Sequence, residues 1–168
     1  MRRRHFVKAA ALGAGATALA ACGSETSSGG APAVQTGARV SWQLVSSFPR
    51  SAEILFGPAQ RMADRVAALT GDRFRIRVYP GGEIVPPLEV MGAVQRGTAQ
   101  MAHTASYYFK GIDPAFVFDC TVPFGLTSRQ QTAWLLHGGG MALLRDLFAD
   151  VDIVNLPGGN TGVQMGGW

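Results

Sequence analysis

From Val40 onward the apolar positions repeat with two different periods in alternation. Val40-Ser41-Trp42-Gln43-Leu44-Val45 alternates and predicts a strand, which Ser46-Ser47-Phe48-Pro49 breaks. Leu55, Ala59, Met62, Val66 and Leu69 then follow at spacings of 4, 3, 4 and 3, the inward face of a helix with Pro58 near its start or at a kink and Thr70-Gly71-Asp72 at its end. Arg73 to Tyr79 returns to period two, with Arg73, Arg75 and Arg77 on one face. Pro80-Gly81-Gly82 turns the chain, and Pro86-Pro87 opens a short helix with Leu88, Met91 and Val94 inward and Gly97 at its stop. Met101 to Thr104 is a brief strand. Thr127-Ser128 caps a helix through Trp134 and Leu135 that Gly138-Gly139-Gly140 ends, and the next helix turns Leu143, Leu144, Leu147 and Phe148 inward. Val151 to Leu156 predicts a buried strand before the turn Pro157-Gly158-Gly159-Asn160. Strands alternating with helices give an α/β fold with a mostly parallel sheet flanked by helices. Ligands in such sheets bind beyond the carboxyl ends of the strands, so the loops that matter are 46–50, 79–85, 104–110 and 155–167.

The pattern before Val40 is of another kind. Arg3-Arg4-His5-Phe6-Val7-Lys8 precedes a mild apolar run from Ala9 to Ala21, 13 residues, that ends at Leu19-Ala20-Ala21-Cys22. A charged start, a short apolar middle and small residues at the cut make residues 1–21 an export signal, too short to span a bilayer. The twin arginine points to the Tat route, and Leu-Ala-Ala-Cys resembles a bacterial lipobox, in which Cys22 becomes the lipid-bearing first residue. Residues 22–39, rich in Ser, Gly, Thr, Ala and Pro, read as a flexible tether. These readings place the protein in the periplasm or on the outer face of the cytoplasmic membrane, held by lipid at Cys22.

Composition matters once that segment is set aside. The whole chain has 15 basic and 11 acidic side chains, but Arg2, Arg3, Arg4 and Lys8 precede Cys22, leaving 11 against 11. No basic field remains to draw in nucleic acid. The 147 residues from Cys22 suffice for one well-buried core. With Cys22 lipidated, Cys120 has no disulfide partner, and its apolar surroundings from Phe116 predict a buried, inert thiol.

Recognisable catalytic chemistry is not written in the chain. It contains no Gly-x-Ser-x-Gly elbow, no His-Glu-x-x-His and no Gly-x-x-x-x-Gly-Lys-Ser/Thr loop. The glycine clusters at 138–140, 158–159 and 166–167 lack a following lysine and suit tight turns or close backbone approach. His103 and His137 have no Cys or His at metal-ligand spacing, which favours structural roles. The arginine face of Arg73, Arg75 and Arg77 reads as a solvated strand face before an anion site.

Four segments carry a specific resemblance: Gly81-Gly82-Glu83-Ile84-Val85-Pro86; His103-Thr104-Ala105-Ser106-Tyr107-Tyr108 with Gly111-Ile112-Asp113-Pro114; Phe124-Gly125-Leu126; and Pro157 to Trp168. Together they resemble the solute-binding subunit of a TRAP (tripartite ATP-independent periplasmic) transporter, a DctP-like protein, nearest to the subgroup that binds 2-oxoacids such as pyruvate. The resemblance covers residues 40–168. It implies a periplasmic-binding-protein-like lobe over residues 40–156, the start of a crossover to a second lobe over 157–168, and a second lobe that is largely missing. It further implies a binding protein, not an enzyme, that hands a small organic acid to TRAP membrane permease subunits, with no cofactor beyond a sodium or calcium ion bound beside the ligand. Carried over to this chain, Gln164 is a ligand and cation contact, and Asn160, Tyr107, Tyr108 and Phe48 line the cleft. The arginine that pairs with the ligand carboxylate in this family falls beyond Trp168, so these 168 residues alone are expected to bind oxoacids poorly. Two other readings remain open at this point: an exported lipoprotein enzyme with an unrecognised site, and a truncated product that binds nothing.

Overall fold

A computed structural model describes residues 37–120 and 122–162. The segments read as an export signal and a tether, with Cys22 and residues through Thr36, and Gln164 lie outside the described residues. The chain enters through β1 (Val40–Ser46), followed by α1 (Glu53–Leu69), β2 (Phe74–Tyr79), α2 (Val90–Gln95) and β3 (Met101–His103). Two 3-10 turns, Ser106–Phe109 and Pro114–Val117, lead to α3 (Ser128–His137) and α4 (Gly140–Ala149).

The three strands form a parallel sheet in the order β2-β1-β3. Val40 stands opposite Phe74 and Val45 opposite Tyr79; Leu44 stands opposite Met101 and Ser46 opposite His103. β1 is central, so its second half is covered on both faces. Leu44 packs under α1 with Phe56, Ala59, Ala63 and Val78. Val45, the next residue, points the opposite way into a cluster of Val90, Met91, Ala93, Ala99, Phe109, Phe116, Leu144 and Phe148. The alternation read in the sequence therefore becomes two cores, one on each side of the sheet. Phe116 anchors the larger one, wholly buried, with its ring edge-on to Phe148 at 5.0 Å.

Every predicted helix forms, with shifts in which face is buried. In α1 the buried stripe is Phe56, Ala59 and Ala63, whereas Met62 is 38% and Leu69 70% exposed. The apolar arc of this helix is broad. The sheet takes the part of it that carries two alanines, because small side chains let the helix approach closely. Around α2, Pro86-Pro87 close a turn with the Glu89 amide donating to the Pro86 carbonyl at 2.9 Å, and the helix starts only at Val90. Leu88 is consequently exposed, and Val90, Met91 and Ala93 turn inward in its place. In α4, Leu144 and Phe148 are buried, Leu147 packs against them, and Leu143 faces out.

Two further expectations fail. Val151–Leu156 forms no strand among the described residues: the chain leaves α4 through the Ile153 amide, bonded to the Phe148 carbonyl at 3.0 Å, and runs on without a ladder partner. Val151 and Ile153 touch the core while Val154 and Leu156 are exposed, so the segment keeps a strand's alternation without its hydrogen bonds. Cys120, expected to be buried, is exposed. The apolar run that holds it coils as a 3-10 turn, which sends Phe116 inward and leaves Phe118 outside.

The expected solvated face of β2 is as the alternation implied. Arg75 pairs with Asp72 at 3.3 Å, and the Arg77 guanidinium lies over the Tyr79 ring at 5.2 Å. The glycine cluster at 138–140 serves close approach: a Cβ on Gly140 would meet the Trp134 ring at 2.7 Å.

Candidate ligand-binding site at the carboxyl end of the sheet

The loops that leave the three strands meet at one edge. After β1 the chain runs through Ser47 and Phe48, and after β2 through Pro80-Gly81. The Gly81 amide donates to the Phe48 carbonyl at 3.0 Å, and a Cβ on Gly81 would stand 2.9 Å from the Ser47 carbonyl oxygen. Only glycine lets these two loops close on each other. The Ser47 amide donates to the His103 carbonyl at 2.8 Å, which ties in the end of β3.

Hydroxyl groups fasten the same edge. Ser47 Oγ donates to the Pro87 carbonyl at 2.6 Å and lies 2.7 Å from Thr104 Oγ1. A hydroxyl has one proton, so Thr104 supplies the proton of the second bond. Ser46, 1% exposed, accepts the Phe48 amide at 3.0 Å and lies 3.3 Å from His103 Nδ1. Arg50 and Glu83 bridge the two loops at 3.7 Å on the exposed rim.

A row of rings lines this edge. Phe48 is edge-on to His103 at 5.2 Å and 6.4 Å from Tyr108, and Tyr108 is edge-on to Tyr107 at 4.6 Å. The structure thus brings together three of the residues the sequence nominated. Phe48 itself is buried among Leu44, Phe56 and Val78, so it backs the wall, while Tyr107 and Tyr108 are half-exposed. The hydrogen bond with Tyr108, then partial burial and nearby negative charge, push the Tyr107 phenol up to about 12, so it stays a neutral donor. Burial pushes His103 below its usual value, toward the neutral ring.

Asn160 is exposed, on the loop that follows Gly158, and its Oδ1 accepts the Gly162 amide at 2.8 Å. That turn leaves its amide nitrogen for other partners. Gly158 borders the row of rings, where a Cβ would lie 3.9 Å from His103 Cδ2. Gln164 lies outside the described residues. Sequence reasoning gave His103 a structural role and nominated none of Ser46, Ser47, Gly81 and Thr104 as site residues, although all five sit in or beside the loops it singled out. Their signal was positional: each lies at or just beyond the end of a parallel strand.

Among the described residues no three of His, Cys, Asp and Glu cluster closely enough to hold a metal ion. The hydroxyl and amide oxygens at this edge are neutral, those of Ser47 and Asn160 are already bonded, and the carboxylate of Glu83 pairs with Arg50 on the rim. These residues do not by themselves make a cation site.

The family profile of the bacterial extracellular solute-binding proteins, family 7 (DctP), matches residues 45–167. The chain is 43% identical over 169 residues to a monocarboxylate 2-oxoacid-binding periplasmic protein of Nostoc sp.. It also resembles solved TRAP solute-binding proteins. One from Bordetella bronchiseptica, with calcium and picolinate, is 43% identical with a TM-score of 0.75 over 78% of this chain. One from Colwellia psychrerythraea, with calcium and pyruvate, is 36% identical with a TM-score of 0.75 over 77%. A third, from Pseudoalteromonas atlantica with sodium and pyruvate, is 38% identical at the same TM-score and coverage. The chain spans 45% of the Nostoc protein and 39%, 40% and 40% of these three structures. A parallel sheet whose loops gather at one edge, and a profile that runs from the end of β1 through nearly all that follows, lead to one conclusion: the chain belongs to family 7 of the bacterial extracellular solute-binding proteins.

Proposed function

We propose that this chain forms one wall of the binding site of an extracytoplasmic TRAP solute-binding subunit, which takes up a small monocarboxylate, a 2-oxoacid such as pyruvate, and delivers it to the membrane permease. The observation that carries this reading is the 43% identity, across the whole chain, to a 2-oxoacid-binding protein. Tyr107 and Tyr108 are the exposed part of the wall. Tyr107 gives its one proton to Tyr108, which leaves the Tyr108 phenol to donate to an acceptor oxygen of the acid, while both rings exclude water from its apolar tail. Asn160 contributes its amide nitrogen, and Gln164 an amide that serves both ligand and cation. The cation, sodium or calcium in the relatives named above, would offset the carboxylate's charge when bound. The role is binding and release, without turnover. Export by the Tat route and a lipid anchor at Cys22 complete the reading, and would keep the lobe close to the permease.

Calorimetric titration of the full-length protein with pyruvate, in the presence of sodium and calcium, tests it. A hydrogen bond to a charged group is worth about 1.5–3 kcal/mol, so Gln164→Ala is expected to weaken binding roughly 10- to 150-fold. No heat with pyruvate in a folded wild type would reject the oxoacid reading, and an unchanged Gln164→Ala affinity would remove Gln164 from the site.

A further inference from the structure

His103 has a ring nitrogen, Nε2, that no described residue uses. The argument starts at Ser46, which is buried, whose Oγ accepts the Phe48 amide at 3.0 Å and whose remaining neighbour is His103 Nδ1 at 3.3 Å. A buried hydroxyl proton needs an acceptor, and this imidazole nitrogen is the one within reach. Nδ1 therefore presents its lone pair, and in the neutral ring the proton sits on Nε2. A proton on Nδ1 would instead point at an oxygen that already accepts the Phe48 amide, and would strand the serine hydroxyl. Nε2 has no hydrogen-bond partner among the described residues, and the ring is only half-buried. Phe48 presses on the imidazole edge-on at 5.2 Å, and the Cδ2–Nε2 edge faces the loop at Gly158, where a Cβ would lie 3.9 and 4.0 Å away.

We propose that His103 is a ligand-binding residue: Ser46 holds its ring in the Nε2–H tautomer, and that N–H donates to a carboxylate or keto oxygen of the bound acid between the ring row and the Gly158 loop. The proposal rests on the oxoacid reading above. A 2-oxoacid anion offers only acceptors, so an extra preset donor suits it. Burial that keeps the ring neutral agrees with the arrangement.

Two substitutions separate this role from a purely structural one. In His103→Gln the side-chain amide reaches the place of Nε2; in His103→Asn it reaches only the place of Nδ1, where it can still meet Ser46. With pyruvate as the probe on the full-length protein, Asn is expected to weaken binding about tenfold or more and Gln to stay within about threefold of wild type. The reverse order, or wild-type affinity in both, would overturn the proposal and leave His103 as a strut for Ser46. Should a variant fail to fold by thermal melting, nitrogen-15 spectra of the wild-type imidazole decide instead. A proton on Nε2 that shifts on adding pyruvate supports the proposal; a proton on Nδ1, or no shift at saturation, rejects it. A wild type that binds neither pyruvate nor picolinate would sink the oxoacid reading and this proposal with it, whereas pyruvate binding that His103→Asn leaves intact sinks this proposal alone.

Discussion

Single residues at the carboxyl edge of the sheet show how tightly the site is built. Gly81 has no room for a methyl group, because its Cβ would fall 2.9 Å from a backbone oxygen that the closed loops cannot move aside. Gly81→Ala is expected to cost about 1–3 kcal/mol, read as a lower urea midpoint with an unchanged slope. His103 makes a second, pH-dependent contribution. Its folded value is lowered by burial, and its neighbours Ser46, Phe48 and Gly158 carry no charge. The unfolded chain therefore binds the proton more readily than the folded one. The stability is fully present above the ordinary histidine value near 6.5 and is lost as pH falls from there through the lower folded value. Urea unfolding at pH 7.5 and pH 5.5 is expected to show a smaller acid loss in His103→Gln than in wild type, and equal losses would show that this ring does not titrate between the two states.

The elements differ in how much their own sequence explains them. α3 is the most self-contained. Thr127 accepts the Gln130 amide while the Gln130 side chain accepts the Thr127 amide at 2.9 Å, and no residue of the helix is buried. With only the half-buried Leu135 resting on the core, such a helix leans on its cap. Thr127→Ala is expected to cost about 1 kcal/mol and to speed amide exchange in α3 ahead of the sheet, measured by hydrogen–deuterium exchange. α1 is the opposite case: Ala52 at its N-cap makes no side-chain bond and Pro58 removes a donor within it, so its stability comes from Phe56, Ala59 and Ala63 on the sheet. Its sequence therefore announced a helix but not which arc would be buried.

At the scale of the molecule, one lobe offers one wall. The described residues expose Ile112, Phe118, Phe124 and Leu126 along the segment between β3 and α3, with Phe124 in a left-handed conformation. A small carboxylate has few atoms to contribute binding energy, so it needs a charged partner and burial from both sides. The 168 residues produced alone are expected to bind pyruvate far more weakly than the Nostoc relative under the same calorimetric conditions. Micromolar binding by the short chain would place the site on a cation already present, with Arg50 and the Arg73, Arg75, Arg77 face as candidates. The proposed anchor is testable in cells: labelled fatty acid is expected in the wild type and lost with Cys22→Ala, and label that survives the substitution would move the anchor elsewhere.

The local pattern was enough to place the strands, read at 40–45, 73–79 and 101–104, to within a residue at either end, the helices between and after them, the cap at Thr127 and the loops that gather at the carboxyl edge, because period, turn residues and caps act within a few residues of themselves. The segments that resemble the solute-binding family were legible for the same reason. What a side chain meets across the fold was not. That Phe48 would sink into the core behind Tyr107 and Tyr108, that Cys120 would surface, that 151–156 would keep its alternation and lose its ladder, and that Ser46 Oγ would come within 3.3 Å of His103 Nδ1 were decided by tertiary packing. Burial and hydrogen-bond partners depend on which surfaces meet. Ser46 and His103, 57 residues apart, become neighbours only when β1 and β3 pair.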